Sequence, residues 1–258
     1  MSVNRAQRLL NQLVPCVDIS TGRCTDPAGI PDLADPLDPV EVVSAYVSAG
    51  ARQVFLDIVD PWDQLDDAVK VITGVAATAA DVFVSLDHGR LSSVESCGLL
   101  LDAGAAAVSV NTSVVTNPRT VAAAAGRFGA KRMMGAVNAR TSDGGPGWTA
   151  YINGGRTSTG IDAVSFGRTL SELGVGMVLA NGADREGTGR GFDHALTRAM
   201  ASATRLPVIA SGGAKTIGHL REAVTDGGAT FVLANKMLHS GSVLAADIEY
   251  SQPRMTRR

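Results

Sequence analysis

The chain has 258 residues, 45% of them hydrophobic and 19% charged, with a formal net charge of −2. This is the composition of a globular fold with a large core, not of a disordered chain. The balanced charge offers no broad basic field for nucleic acid or an anionic membrane. Cys16, Cys24 and Cys97 form no CxxC pair, so they suggest neither a zinc site nor a disulfide framework, and a reduced, cytoplasmic setting is expected. The N-terminal stretch MSVNRAQRLLNQLVP lacks an apolar signal core, and no apolar run reaches the ~20 residues of a membrane span. The tail SQPRMTRR reads as a solvated basic end.

Along the chain, short apolar runs alternate with longer helical patterns. The runs are LVPCVDI (13–19), QVFLDI (53–58), VFVSLD (82–87), AVSVN (107–111), RMMGAVN (132–138), MVLAN (177–181), PVIAS (207–211) and TFVLAN (230–235). Most are continuously apolar, as strands buried on both faces are. Helical stretches such as 39–50, 93–104, 161–174 and 217–228 each end at a glycine, the residue best suited to a left-handed C-cap. Strand–helix alternation of this kind predicts parallel strands with right-handed crossovers, closed as a (β/α)8 TIM barrel in one domain over residues 1–258.

A helix–Gly–strand signature recurs as SAGARQVFLD, DAGAAAVSVN, ELGVGMVLAN and TDGGATFVLAN. Gly50 and Gly104 map onto Gly174 and Gly228 by one shift of 124 residues. Two half-barrel repeats are therefore expected.

In such a barrel, function collects where the strands end. Polar residues close the runs: Asp18, Asp57, Asp87 with His88, Asn111, Asn138, Asn181, Ser211 and Asn235. After the seventh run, SGGAKT supplies Gly212 and Gly213 before a helix, so backbone amides can approach an anion closely. Lys236 follows the eighth run, and DREGTGRG (184–191) follows the sixth with Gly187. These features predict a bound phosphate. By half-barrel symmetry a second anion site is expected after runs three and four, with Arg90, Asn111 and Thr112. No metal-ligand cluster or dinucleotide fingerprint is present, so no cofactor is expected.

The chain resembles the histidine-biosynthesis barrels, and among them the cyclase subunit of imidazole glycerol phosphate synthase. The matching stretches include PCVDISTGR (15–23), VNTSVVTNP (110–118), NGGRTSTGIDAV (153–164), DREGTGRGFD (184–193) and LPVIASGGA (206–214). The resemblance implies a ribonucleotide substrate with a phosphate at each end, ammonia from a partner glutaminase, and proton transfer by two aspartates. The strand-one aspartate is Asp18. The distal phosphate falls to Gly187, Gly213, Asn235 and Lys236, and the proximal one to Asn111 and Thr112, with Arg90 at a family glycine. Asp57, Asn181, Asp184, Ser211 and Gly212 are expected to line the site.

The departures from the family are specific. The strand-five aspartate is Asn138, which hydrogen-bonds but cannot take up and return a proton. The first-loop lysine is Asp26, and the glycine loop of strand three is Asp87-His88-Gly89-Arg90. The charged ring that gates ammonia is replaced by Gln12, Arg52, Ala107 and Met177, which argues against a docked glutaminase. A lyase or cyclase acting on a phosphorylated ribosyl or glycosyl compound is expected, with Asp18 as acid/base, Asp87 or His88 as a relocated partner and Asn138 orienting substrate. The alternatives are a subunit that transfers ammonia to a sugar nucleotide, and a non-catalytic barrel that binds a phosphorylated ligand.

Overall fold

The structure, a computed structural model, describes residues 9–61, 65–78 and 80–250. The first eight residues and the basic tail discussed above lie outside them. The barrel strands are β1 (Leu13–Ser20), β2 (Gln53–Ile58), β3 (Asp81–Leu86), β4 (Ala105–Val110), β5 (Met133–Thr141), β6 (Met177–Gly182), β7 (Val208–Ser211) and β8 (Phe231–Ala234). Each pairs in parallel with the next, and β8 returns to β1 through Leu13↔Val232, which closes the ring. The expected (β/α)8 barrel is the observed one.

Helices α1 (Pro39–Ser48), α2 (Leu65–Ala76), α3 (Val94–Asp102), α4 (Pro118–Phe128), α5 (Ala163–Glu172), α6 (His194–Thr204), α7 (Ile217–Thr225) and α8 (Ala245–Tyr250) connect and follow the strands. Side-chain caps start several of them: Asp38 accepts from Val40 N, Ser93 from Ser96 N, Asp162 from Ser165 N, Asp193 from Leu196 N and Thr216 from His219 N. Each cap satisfies an amide that the helix leaves without an internal acceptor. No helix among the described residues is long and apolar enough to cross a membrane.

Strand residues alternate between two cores. Val14, Cys16, Phe55, Phe83, Ala107, Met134, Leu179, Ile209 and Leu233 fill the barrel interior. Their neighbours face outward into the larger layer between strands and helices. Gly135 faces that layer, where a Cβ would overlap the Leu170 side chain of α5. Gly135→Val is expected to destabilise the fold by about 2–3 kcal/mol through overpacking, read as a lower urea midpoint with an unchanged slope.

One element departs from the sequence reading. The stretch before α5 is an antiparallel hairpin, Trp148–Ile152 with Thr157–Asp162, that extends β5 beyond the barrel mouth. α5 therefore starts at Ala163, not at 161. The turn is Asn153-Gly154-Gly155, all three with positive φ, a hairpin signal that the sequence contains.

Candidate active site

The alternation that buries the barrel interior also builds its mouth. Continuing each inward face by two residues leads from Cys16 to Asp18, from Phe55 to Asp57 and from Phe83 to Ser85. It leads likewise to Asn138, Asn181, Ser211 and Asn235 above Ala136, Leu179, Ile209 and Leu233. A cavity of about 930 Å³ opens over this layer. It is lined by Asp18, Asp57, His88, Asn111, Asn138 and Asn181, and by Gly187, Ser211, Gly212, Gly213, Asn235 and Lys236 on its other side.

Asp18 is fixed. Asn235 Nδ2 donates to both carboxylate oxygens, at 2.8 and 2.9 Å. The sequence reading placed Asn235 among the phosphate ligands, but its side-chain amide is committed to Asp18. Cys16 lies below at 3.7 Å from Asp18 Oδ1, and burial, reinforced by the carboxylates of Asp18 and Asp57, pushes its thiol well above the usual range. Its environment thus disfavours the thiolate.

Asp57 stands beside Asp18 in the β1–β2 register and is hydrogen-bonded to Ser85. Burial, then repulsion by Asp18, raises its pKa to about 7. A carboxyl raised on folding stabilises while protonated, and that contribution is lost as pH rises from the unfolded value toward about 7. Asp57→Asn mimics the protonated form. Its Tm advantage over the wild type is expected to be larger at pH 8 than at pH 5 by several degrees, on the order of 2 kcal/mol. An equal advantage at the two pH values would show that Asp57 carries no such strain.

Asn138 and Asn181 are register partners on β5 and β6. Asn181 Nδ2 donates to Asn138 Oδ1 at 2.9 Å and to Glu186 Oε1 at 2.7 Å. Glu186 lines the cavity. A carboxylate therefore sits one amide away from the strand-five position where the sequence shows Asn138. The sequence reading took DREGTGRG for its glycines and passed over this glutamate; an acid two residues beyond Asp184 in a mouth loop was the available signal.

The β6, β7 and β8 loops form one rim. Gly212 and Gly213 have φ of 92° and 95°, and Gly191 N donates to Gly213 O at 2.9 Å, locking the two loops together. No acceptor is found among the described residues for the amides of Gly213 and Ala214, which precede the start of α7 in the chain. Lys215 lies across Gly189, where a Cβ would stand 2.8 Å from its Cδ. Lys236 opens the helical turn Lys236–His239 directly after β8. This arrangement of amides, helix start and two lysines suits an anion.

The opposite rim is different. Asp87, His88 and Gly89 are all left-handed, with φ of 45°, 56° and 70°, a conformation that L-residues with a Cβ adopt at a cost of about 1 kcal/mol or more each. The hairpin turn folds over this rim. Asn153 N donates to Thr112 Oγ1 at 3.1 Å, Thr112 Oγ1 donates to His88 O at 2.8 Å, and Arg90 Nη2 donates to Asn153 Oδ1 at 3.3 Å. Arg90 also pairs with Asp87 at 3.5 Å. Asp87, Arg90 and Thr112 consequently stand outside the cavity, and only His88 and Asn111 of the residues expected here line it. Asp184 is also outside: it accepts from Thr141 N at 2.6 Å and pairs with Arg140 at 3.6 Å, tying the β6 loop to the end of β5.

The first loop closes the mouth's third side. Arg23 forks onto Asp35, Gly29 N donates to His239 O, and His239 Nε2 contacts Asp26 O at 2.8 Å. Thr25, Asp26 and Pro27 thereby join the cavity wall. At the opposite end of the barrel, Ala107 and Met177 pack with the apolar interior, and Gln12 Nε2 donates to Thr230 O at 3.1 Å. No group of three or more His, Cys, Asp or Glu side chains among the described residues is placed to hold a metal.

Comparison with known families gives one match that spans most of this architecture. The profile of the family described as histidine biosynthesis protein matches residues 12–244, from the start of β1 to the segment before α8.

Proposed function

The chain belongs to the histidine biosynthesis protein family, and from that premise we propose that it is an enzyme of the family's cyclase and isomerase type. Its substrate is a phosphorylated ribosyl or glycosyl compound, and its chemistry makes, breaks or rearranges a C–N bond by proton transfer. One observation carries this reading: Asp18, held at both oxygens by Asn235, shares a single cavity with the glycine rim of Gly212 and Gly213.

The phosphate rests on the amides of Gly213 and Ala214 with Lys215 or Lys236 beside it. Asp18 moves a proton at the reacting centre. Glu186 is the second carboxylate, in place of the one that Asn138 lacks, and Asn181 holds it in position through the 2.7 Å bond. Asp57, which titrates near neutrality, can hold a proton beside Asp18 between steps. Asn138 accepts from Asn181, which leaves its own amide protons to orient substrate. Of the four gate positions only Arg52 is charged, with Gln12, Ala107 and Met177 at the others, so the charged ring is not kept and the enzyme works without a docked glutaminase.

The test is a panel of phosphorylated ribosides and aminosugars, with the histidine-pathway ribonucleotide plus ammonia as one member. Wild type and Glu186→Gln are compared on whichever compound turns over. A loss of roughly 10²-fold or more in kcat with Glu186→Gln is expected; an unchanged kcat removes Glu186 from the chemistry. Efficient ammonia-dependent turnover of the pathway substrate by the wild type would refute the altered reaction.

A further inference from the structure

We infer that His88 is a positioning residue. In its neutral form alone it pins the Asn153–Arg156 turn of the hairpin in place as a wall of the cavity, and acid releases that turn.

The donor and acceptor roles are forced. Arg156 Nη2 lies 2.7 Å from His88 Nε2. A guanidinium has only protons to give and does not lose its charge, so the imidazole accepts. His88 is then neutral, with its proton on Nδ1. A proton added at Nε2 sets two donors and two positive charges against each other. Turning the ring restores nothing, because both nitrogens of an imidazolium are donors.

The backbone is arranged to present this ring. Asp87 and His88 are held at φ of 45° and 56°, a left-handed conformation that residues with a Cβ adopt only at a cost. The His88 ring consequently lies in the cavity wall and against Gly154, where a Cβ would stand 2.8 Å from Nδ1. Gly154 lines the same cavity. The docked turn therefore sets the size of the cavity at this end.

The turn's other bonds to the barrel do not titrate near neutrality. Asn153 N donates to Thr112 Oγ1 at 3.1 Å, Arg90 Nη2 to Asn153 Oδ1 at 3.3 Å and Arg140 Nη2 to Gly155 O at 3.4 Å. The His88 contact is shorter than all three, and the two guanidinium bonds are at the long end of the range. The charged groups acting on His88 are Arg156 on the hairpin and Asp87 and Arg90 on its own loop. Partial burial, then Arg156, holds the imidazole below its usual pKa; Arg90 adds to this and Asp87, itself paired with Arg90, opposes it. A base depressed in this way stabilises the docked turn fully above its undocked pKa. That contribution is lost as pH falls through the docked one.

Hydrogen exchange of the whole protein, read by mass spectrometry, tests this. Protection of the hairpin, residues 148–162, is measured relative to that of β6 in the same sample, at about pH 7.5 and about pH 5. The β6 reference removes any change in global stability. In the wild type the hairpin's relative protection is expected to fall about threefold or more at the lower pH. His88→Gln supplies an acceptor that takes up no proton, and Arg156→Met removes the donor. In both variants the fall is expected to be lost, whatever their protection at neutral pH. A wild-type fall under about threefold overturns the proposal. A fall of about threefold or more in either variant assigns the effect to another group and overturns it too.

Discussion

Asp18→Asn is expected to lower kcat by roughly 10³-fold on any compound that the enzyme turns over, with little change in fold or in phosphate affinity. The reason is local. Asn235 Nδ2 now donates to both oxygens of Asp18. After the substitution, one of those oxygens becomes a donor, and rotation of the Asn235 amide restores a complementary pair. The site keeps its shape and loses only the group that can take up a proton. Phosphate affinity should hold because Asp18 lies at the centre of the cavity, at the end of β1, and the anion rim lies on the β7 loop. Turnover equal to wild type would remove Asp18 from the mechanism. A loss of phosphate binding together with turnover would mean that the variant had lost the site's structure. A complementary measurement is Asn235→Leu, which leaves the Asp18 carboxylate in place but without its two bonds. A smaller fall in kcat, accompanied by a shifted pH–rate profile, is the signature of a residue that acts by positioning Asp18.

The architecture was legible because buried parallel strands impose their own pattern. Runs such as MVLAN and QVFLDI carry no polar face to confuse with a helix, and period-two alternation then assigns Asp18, Asp57, Asn138 and Asn181 to the interior mouth without any contact being known. What the sequence did not reveal was where side chains turn once they leave the strands. Arg90 and Thr112 follow β3 and β4 as a second anion site would require, yet the hairpin binds both from above. That hairpin forms between residues far along the chain, so its effect on the β3 loop is a tertiary fact. Asp184 and Glu186 show the same limit. They sit two residues apart on one loop, yet Glu186 reaches Asn181 while Asp184 reaches Thr141. Asn235 was legible as a site residue but not as Asp18's partner, because the β8–β1 pairing joins opposite ends of the chain.

Gly213→Val should abolish measurable binding of inorganic phosphate, a loss of about 100-fold or more, and lower stability by roughly 2–4 kcal/mol. Gly213 has a φ of 95°, and a Cβ there would lie 2.6 Å from Gly191 O and 2.8 Å from Arg185 Cβ. Two obstacles therefore act together. The backbone conformation is one that a β-branched residue scarcely adopts, and the space is filled by backbone that cannot yield without moving the β6 loop. That loop is bonded to this residue through Gly191 N, so the displaced amides are the ones expected to face the anion. Gly187 provides the control. Its φ is 69°, but nothing lies within 4 Å of where its Cβ would be. Gly187→Ala thus meets only the conformational cost of about 1 kcal/mol and should keep phosphate affinity within a few fold. The pair separates strain from site geometry: both variants force a side chain into left-handed backbone, and only Gly213→Val closes the approach. Phosphate binding retained in Gly213→Val would move the anion off the β7 loop, and equal losses in the two variants would trace the effect to loop strain.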